Sequence, residues 1–305
     1  MLPQLERLCL TDAGLETDLI YNHGLELPLF ASITLLGSPA GKAALVTYFR
    51  GFLDLAADRG CGIVLESATW RASPDWAAPL GLTLSELDAL NEDAVALLMR
   101  LRADYANRIA DIVISGCIGP RGDGYDAGRI MEAEQARAYH AHQIGLFAAA
   151  GVDLVSAITM TNSPEAIGIA LAAREAGLPA AISFTVETDG RLPSGETLEA
   201  AIGAVDAATG GYPAYFMINC AHPSHFSAVL ESGADWTMRI RGLRANASRC
   251  SHAELDVMTE LDRGDAVALA GDYRDLRARF PHITVLGGCC GTDLAHIKAI
   301  AYACL

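Results

Sequence analysis

The chain has 305 residues, a hydrophobic fraction of 51% and a formal net charge of −15. That length admits one large α/β barrel or two modest domains, and no uninterrupted apolar run reaches the ~20 residues needed to span a bilayer. No basic tract is present to neutralise phosphates, so nucleic acid and anionic membrane are poor partners, whereas an acidic field suits a cationic small molecule.

The opening, Met1-Leu2-Pro3-Gln4-Leu5-Glu6-Arg7, lacks the basic and apolar regions of a signal peptide, so a cytoplasmic location is expected. Beyond it, short β-rich runs alternate with amphipathic helical runs. Strands are expected at Leu8 to Asp12, Gly62 to Ser67, Asp111 to Gly116, Leu154 to Thr159, Ala181 to Val186, Tyr215 to Cys220, Trp236 to Ile240 and Ile283 to Gly288. Helical patterns fill Ala43 to Arg59, Ser85 to Arg108, Glu132 to Ala150, Ser163 to Ala176, Thr197 to Ala208 and Asp265 to Phe280. Gly or Pro marks many exits, as at Gly60, Gly151 and Pro179. Eight βα units with no linker between them predict a single (β/α)8 TIM barrel over residues 1–305, with a doubly wound open sheet as the other topology of this pattern. Gly119-Pro120-Arg121-Gly122-Asp123-Gly124 lacks the spacing of a dinucleotide fingerprint and is expected to be a turn-rich loop.

Chemistry-bearing residues collect at the strand ends. Asp12 closes the first strand, Glu66 the second and Glu187 follows the fifth. Each is a candidate substrate contact, and the plain alternative is a solvated charge or an internal ion pair. Trp70 and Trp76 follow the second strand, where an aromatic face attracts sulfonium or ammonium cations, with loop packing as the other role. The sixth strand runs into Asn219-Cys220, and the eighth into Gly287-Gly288-Cys289-Cys290-Gly291-Thr292. Adjacent cysteines are poorly spaced for an ordinary disulfide, and three soft thiolates suit one zinc ion with a fourth position left for substrate. Without a metal, the three are small buried residues. His222 and His225 lie close enough in sequence to close such a site, but suit a helix start or packing better. Asn219 is suited to orient the loop or a polar group of the substrate. The other five cysteines, Cys9, Cys61, Cys117, Cys250 and Cys304, are scattered and make no secreted disulfide framework, so a reducing compartment is expected.

The two cysteine motifs, with weaker echoes at Thr11-Asp12-Ala13-Gly14, Gly151-Val152-Asp153-Leu154 and Ser183-Phe184-Thr185, resemble the zinc-dependent homocysteine S-methyltransferase family over nearly the whole chain. The resemblance implies a TIM barrel in which Cys220, Cys289 and Cys290 bind Zn2+ and methyl passes from a sulfonium or ammonium donor to homocysteine, giving methionine. Partners are then a small-molecule thiol acceptor and a methyl donor, and self-association stays open. Two departures stand out. Glu16 follows Asp12-Ala13-Gly14 where a small residue is common, and Ile158 occupies the position of a family glutamate that holds the amino group of homocysteine. Glu187, with Asp12 or Glu66, is expected to replace that charge if homocysteine is the acceptor. The alternatives are a different thiol acceptor, or a barrel that binds zinc or thiols without catalysis.

Overall fold

The computed structural model describes residues 2–231 and 233–305. Eight parallel strands close in sequence order: β1 (Cys9–Leu10), β2 (Gly62–Glu66), β3 (Ile112–Ile118), β4 (Leu154–Met160), β5 (Ala180–Phe184), β6 (Tyr215–Asn219), β7 (Ile240–Ala245) and β8 (Val285–Gly288), with β8 pairing back onto β1. The main helices on the outside are α1 (Pro39–Arg59), α2 (Leu84–Tyr105), α3 (Ala133–Ala150), α4 (Ser163–Glu175), α5 (Leu198–Thr209), the single turn α6 (Pro223–Phe226), α7 (Ala266–Arg279) and α8 (Leu294–Cys304). This is the (β/α)8 barrel expected from the sequence.

The period-two alternation of strand side chains divides the core into two layers. Cys9, Val64, Val113, Leu154, Ala181, Tyr215, Met217 and Val285 point inward and pack together inside the barrel. Leu10, Ile63, Leu65, Ile114, Val155, Ile182, Phe216 and Leu243 point outward against the helices. Counting by twos from Val64 brings Glu66 inside, and the same parity brings Ser115, Ser156, Ser183, Asn219 and Arg244 into the barrel. A polar layer therefore lies above the apolar one, toward the strands' carboxyl ends.

One strand departs from expectation. Asp235–Arg239 is a 3-10 turn, and the seventh strand is Ile240–Ala245, so Trp236 lies outside the sheet. Three arginines in Arg239-Ile240-Arg241-Gly242-Leu243-Arg244 hide its alternation. Arg239 makes a paired contact with Asp206 outside the barrel, Gly242 sits where a Cβ would strike Met217, and Arg244 turns in. The sequence also left α8 unassigned, although Asp293 caps it.

No helix among the described residues is long and apolar enough to cross a membrane.

Candidate thiol cluster and substrate cavity

Two residues at the strand ends have left-handed backbones, Thr159 (φ 66°) and Cys220 (φ 52°), a conformation side-chain-bearing residues adopt mostly where surroundings enforce it. Thr159 lies in a register shift of the β4–β5 ladder between Ala157 and Met160. The Asn219 side chain satisfies it there. Its Oδ1 accepts from the Thr159 N–H at 2.9 Å and the Ser183 hydroxyl at 2.6 Å, and its Nδ2 donates to Thr159 Oγ1 at 2.7 Å. Asn219 is fully buried and lies behind the cysteines as a bracket for their loop, rather than on the cavity wall.

The bracket delivers Cys220 from β6 to the two cysteines after β8. The three sulfurs lie within 4.8 Å of one another. Cys220 and Cys290 Sγ are 3.9 Å apart, close to the roughly 3.8 Å expected between two sulfurs on one tetrahedral zinc with 2.3 Å bonds. Cys220 and Cys289 are joined in a disulfide with their Cα atoms 5.3 Å apart, while Cys290 is free. The closeness that suits a shared ion also permits a bond between two of the three sulfurs. An all-sulfur donor set of this size fits zinc once that bond is reduced.

Close packing explains the motif's glycines. A Cβ on Gly287 would strike Thr11, one on Gly288 would strike Thr292, and one on Gly14 would strike the Cys289 carbonyl. The segment after β1 thereby sets the height of the thiol loop. Tyr125 donates to Cys290 Sγ at 3.4 Å and stacks on His252 at 4.0 Å. His252 in turn bridges the Cys220 carbonyl (Nε2, 2.7 Å) and Glu187 (Nδ1, 3.0 Å).

The sulfurs open into a cavity of about 400 Å³ that Asp12, Glu16, Glu66, Trp70, Ile158 and Arg244 help line. Arg244 donates from Nη2 to Asp12 Oδ1 at 2.7 Å and the Ala13 carbonyl at 3.3 Å, and from Nε to the Gly288 carbonyl at 3.2 Å. Its Nη1 is 3.9 Å from Glu66 Oε1, within ion-pair range but beyond a hydrogen bond. Burial pushes the Asp12 and Glu66 carboxyls up against the pull of Arg244. Although burial disfavours its own charge, the two carboxylates hold the Arg244 guanidinium above its usual value. Glu16 accepts from Ser32 at 2.7 Å, and no basic side chain among the described residues forms an ion pair with it. Burial raises its carboxyl, against the hydrogen bond from Ser32.

Asp12 and Glu66 therefore reach the cavity but already share a cation. Trp70 reaches it with its Nε1 donating to the Ile158 carbonyl at 3.1 Å and with Arg71 over its ring at 5.1 Å. Glu187 does not line the cavity, which corrects the expectation of a common pocket: β5 ends at Phe184, and the following turn carries its carboxylate outward to His252. His222 caps α6 by accepting from Ser224 N at 3.1 Å, and His225 meets the Arg249 carbonyl at 2.9 Å, in keeping with helix-start and packing roles. Sequence reasoning missed Arg244, Tyr125 and His252. Placing the seventh strand correctly would have found Arg244 by parity, and the Ser251-x-x-Glu254 capping box marks the turn that carries His252. Tyr125, in an aperiodic loop, had no comparable signal.

The homocysteine S-methyltransferase family profile matches residues 9–304. The chain belongs to this family. It is an S-methyltransferase. It is 22% identical over 312 residues to homocysteine S-methyltransferase 1 of Arabidopsis thaliana, covering 95% of this chain and 91% of that one. It is 23% identical to selenocysteine Se-methyltransferase of Brassica oleracea var. italica, covering 95% and 86%. The fold is similar to crystal structures of the homocysteine methyltransferase MmuM from Escherichia coli. The oxidized form has a TM-score of 0.75 at 23% identity, covering 97% and 95% of the two chains. The metallated form has 0.75 at 21%, covering 97% and 96%.

Proposed function

We infer that this family member transfers methyl from a sulfonium or quaternary ammonium donor to the sulfur of homocysteine, giving methionine, with zinc held by Cys220, Cys289 and Cys290. The observation that carries this reading is the convergence of three cysteines from two distant strand ends on the wall of a cavity large enough for small substrates. Zinc, when bound, keeps an acceptor thiol ionised at neutral pH. In the transfer the acceptor sulfur attacks the methyl carbon, an S–C bond forms, and the bond to the cationic donor breaks with its electron pair. The donor leaves neutral, so no general base is needed on it. The protein's part is alignment and electrostatics. Glu16, a cavity carboxylate without a basic partner, supports a cationic donor. Tyr125 holds Cys290, and the Glu187–His252 pair holds the Cys220 backbone.

Reduced protein is expected to bind one zinc per chain, and Cys220→Ala, Cys289→Ala and Cys290→Ala each to lose it by metal analysis. Full retention in all three would remove zinc from the reading. Zinc-loaded protein incubated with a panel of thiols and methyl donors should yield a methylated thiol by mass spectrometry. A second reading, another thiol or selenol acceptor, is favoured by the apolar Ile158 on the cavity wall and by the relative named for selenocysteine. The same panel separates the two.

A further inference from the structure

Two buried polar atoms, each on a residue that lines the cavity, lack partners among the described residues. Arg244 Nη1 and Glu66 Oε2 have no hydrogen bond, although Arg244 is 6% and Glu66 5% exposed. Orphans of this kind are uncommon, because a buried donor or acceptor left unmade carries the full desolvation cost of its group. Arg244 is not free to turn away. Arg244 is fixed by Asp12 and by the carbonyls of Ala13 and Gly288, which use Nη2 and Nε and leave Nη1 available. The adjoining Ser115 and Ser156 hydroxyls, 2.7 Å apart, lie beside the Glu66 carboxyl and help stabilise its charge. A cationic donor atom and an anionic acceptor atom thus lie unused side by side, with the Nη1–Oε1 separation at 3.9 Å. An α-amino acid carries the complementary pair, a carboxylate and an ammonium on one carbon.

We propose that Arg244 Nη1 receives the carboxylate of the acceptor amino acid while Glu66 Oε2 receives its ammonium. Arg244 is then the residue that selects amino-acid thiols. This rests on the methyl-transfer reading and adds the part of the acceptor that the barrel interior recognises. It also dispenses with Glu187 and with a carboxylate at Ile158. Charge balance is kept, since a zwitterion adds no net charge to the wall that Arg244, Asp12 and Glu66 form.

The test uses the intact zinc-loaded protein with homocysteine, with 3-aminopropane-1-thiol, which lacks the carboxylate, and with 4-mercaptobutanoate, which lacks the amino group. Each truncated thiol should lose roughly tenfold to a hundredfold in kcat/KM, the range for one charge-assisted hydrogen bond. Arg244→Lys keeps a cation beside Asp12 but removes the guanidinium fork. It should abolish the preference for homocysteine over 3-aminopropane-1-thiol, lowering kcat/KM for homocysteine roughly tenfold to a hundredfold more than for the amino thiol. Titration calorimetry of methionine against 3-(methylthio)propylamine gives the same comparison without turnover, and native-like melting of the variant excludes unfolding. Wild-type protein that uses 3-aminopropane-1-thiol as well as homocysteine overturns the proposal, as does an Arg244→Lys variant that loses both equally. Methylation of no thiol by the wild type overturns the methyl-transfer reading itself, a different outcome.

Discussion

Asp12, Glu66 and Arg244 show how little a residue's type says of its role. Both carboxylates matched the sequence-based expectation of lying at the strand ends and reaching the cavity, yet the cation they share comes from a strand whose position the sequence concealed. Removing that cation leaves two buried carboxylates with nothing opposite. Arg244→Met should therefore lower the unfolding free energy by about 3–5 kcal/mol at pH 7, the cost of breaking a buried ionic group, measured by urea denaturation. Replacing exposed Arg274, which pairs with its neighbour Asp275, should change stability by less than about 1 kcal/mol.

At the scale of elements, α8 links the thiol loop to the helical layer. Asp293 caps it by accepting from Ala295 N at 2.9 Å and His296 N at 3.3 Å, and its carboxylate also pairs with Arg263. Burial raises its carboxyl, but the hydrogen bond and charge of His296 with the charge of Arg263 outweigh this and hold it below the ordinary value. A carboxyl lowered in the folded state stabilises the fold above its unfolded value near 3.8 and loses that contribution as pH falls through the lower folded value. Asp293→Asn keeps the cap and removes the charge, so it should cost about 1 kcal/mol at pH 7, with the difference from wild type shrinking below pH 3.8 in urea titrations at several pH values. The next link is packing. Gly287→Ala would press a methyl onto Thr11, costing about 1–3 kcal/mol, partly recovered by Thr11→Ala in thermal melts.

These elements also mark what the sequence made legible. Seven strands were visible because each is a short, mostly apolar run between helical patterns, and the thiol motifs were visible because soft ligands with glycine spacers have few other uses. The seventh strand was lost because its inward residue is an arginine whose carboxylate partners are more than 170 positions away, and no local pattern carries that information. Glu187 was misjudged for the complementary reason: its placement depends on where a turn sends it after β5 ends.

At the scale of the molecule, the −15 charge has a local expression. Asp123, Asp256 and Glu260, which are exposed, and half-buried Asp262 line the cavity that holds the sulfurs. A cationic methyl donor approaching this cavity should be steered by the field, with screening over about 10 Å at 0.1 M salt. The donor's kcat/KM should fall as sodium chloride is raised, and Asp256→Asn with Glu260→Gln should flatten that dependence while leaving kcat unchanged. A rate independent of ionic strength in the wild type would deny steering.

The first strand contributes two residues to each of its ladders, Cys9 and Leu10, against four register pairs between β7 and β8. The joint between the beginning and end of the barrel, where the Cys9, Thr11 and Gly288 N–H groups meet the Thr284, Leu286 and Asp12 carbonyls, is reinforced by Arg244, which reaches both Asp12 and the Gly288 carbonyl. Such a fastening makes local breathing of the ring separable from global unfolding. In Arg244→Met, amide deuterium uptake should accelerate first at Cys9, Thr11 and Gly288, whose N–H groups bridge that joint, while the β3–β4 amides remain protected, so that one side chain sets how often the ring stands open.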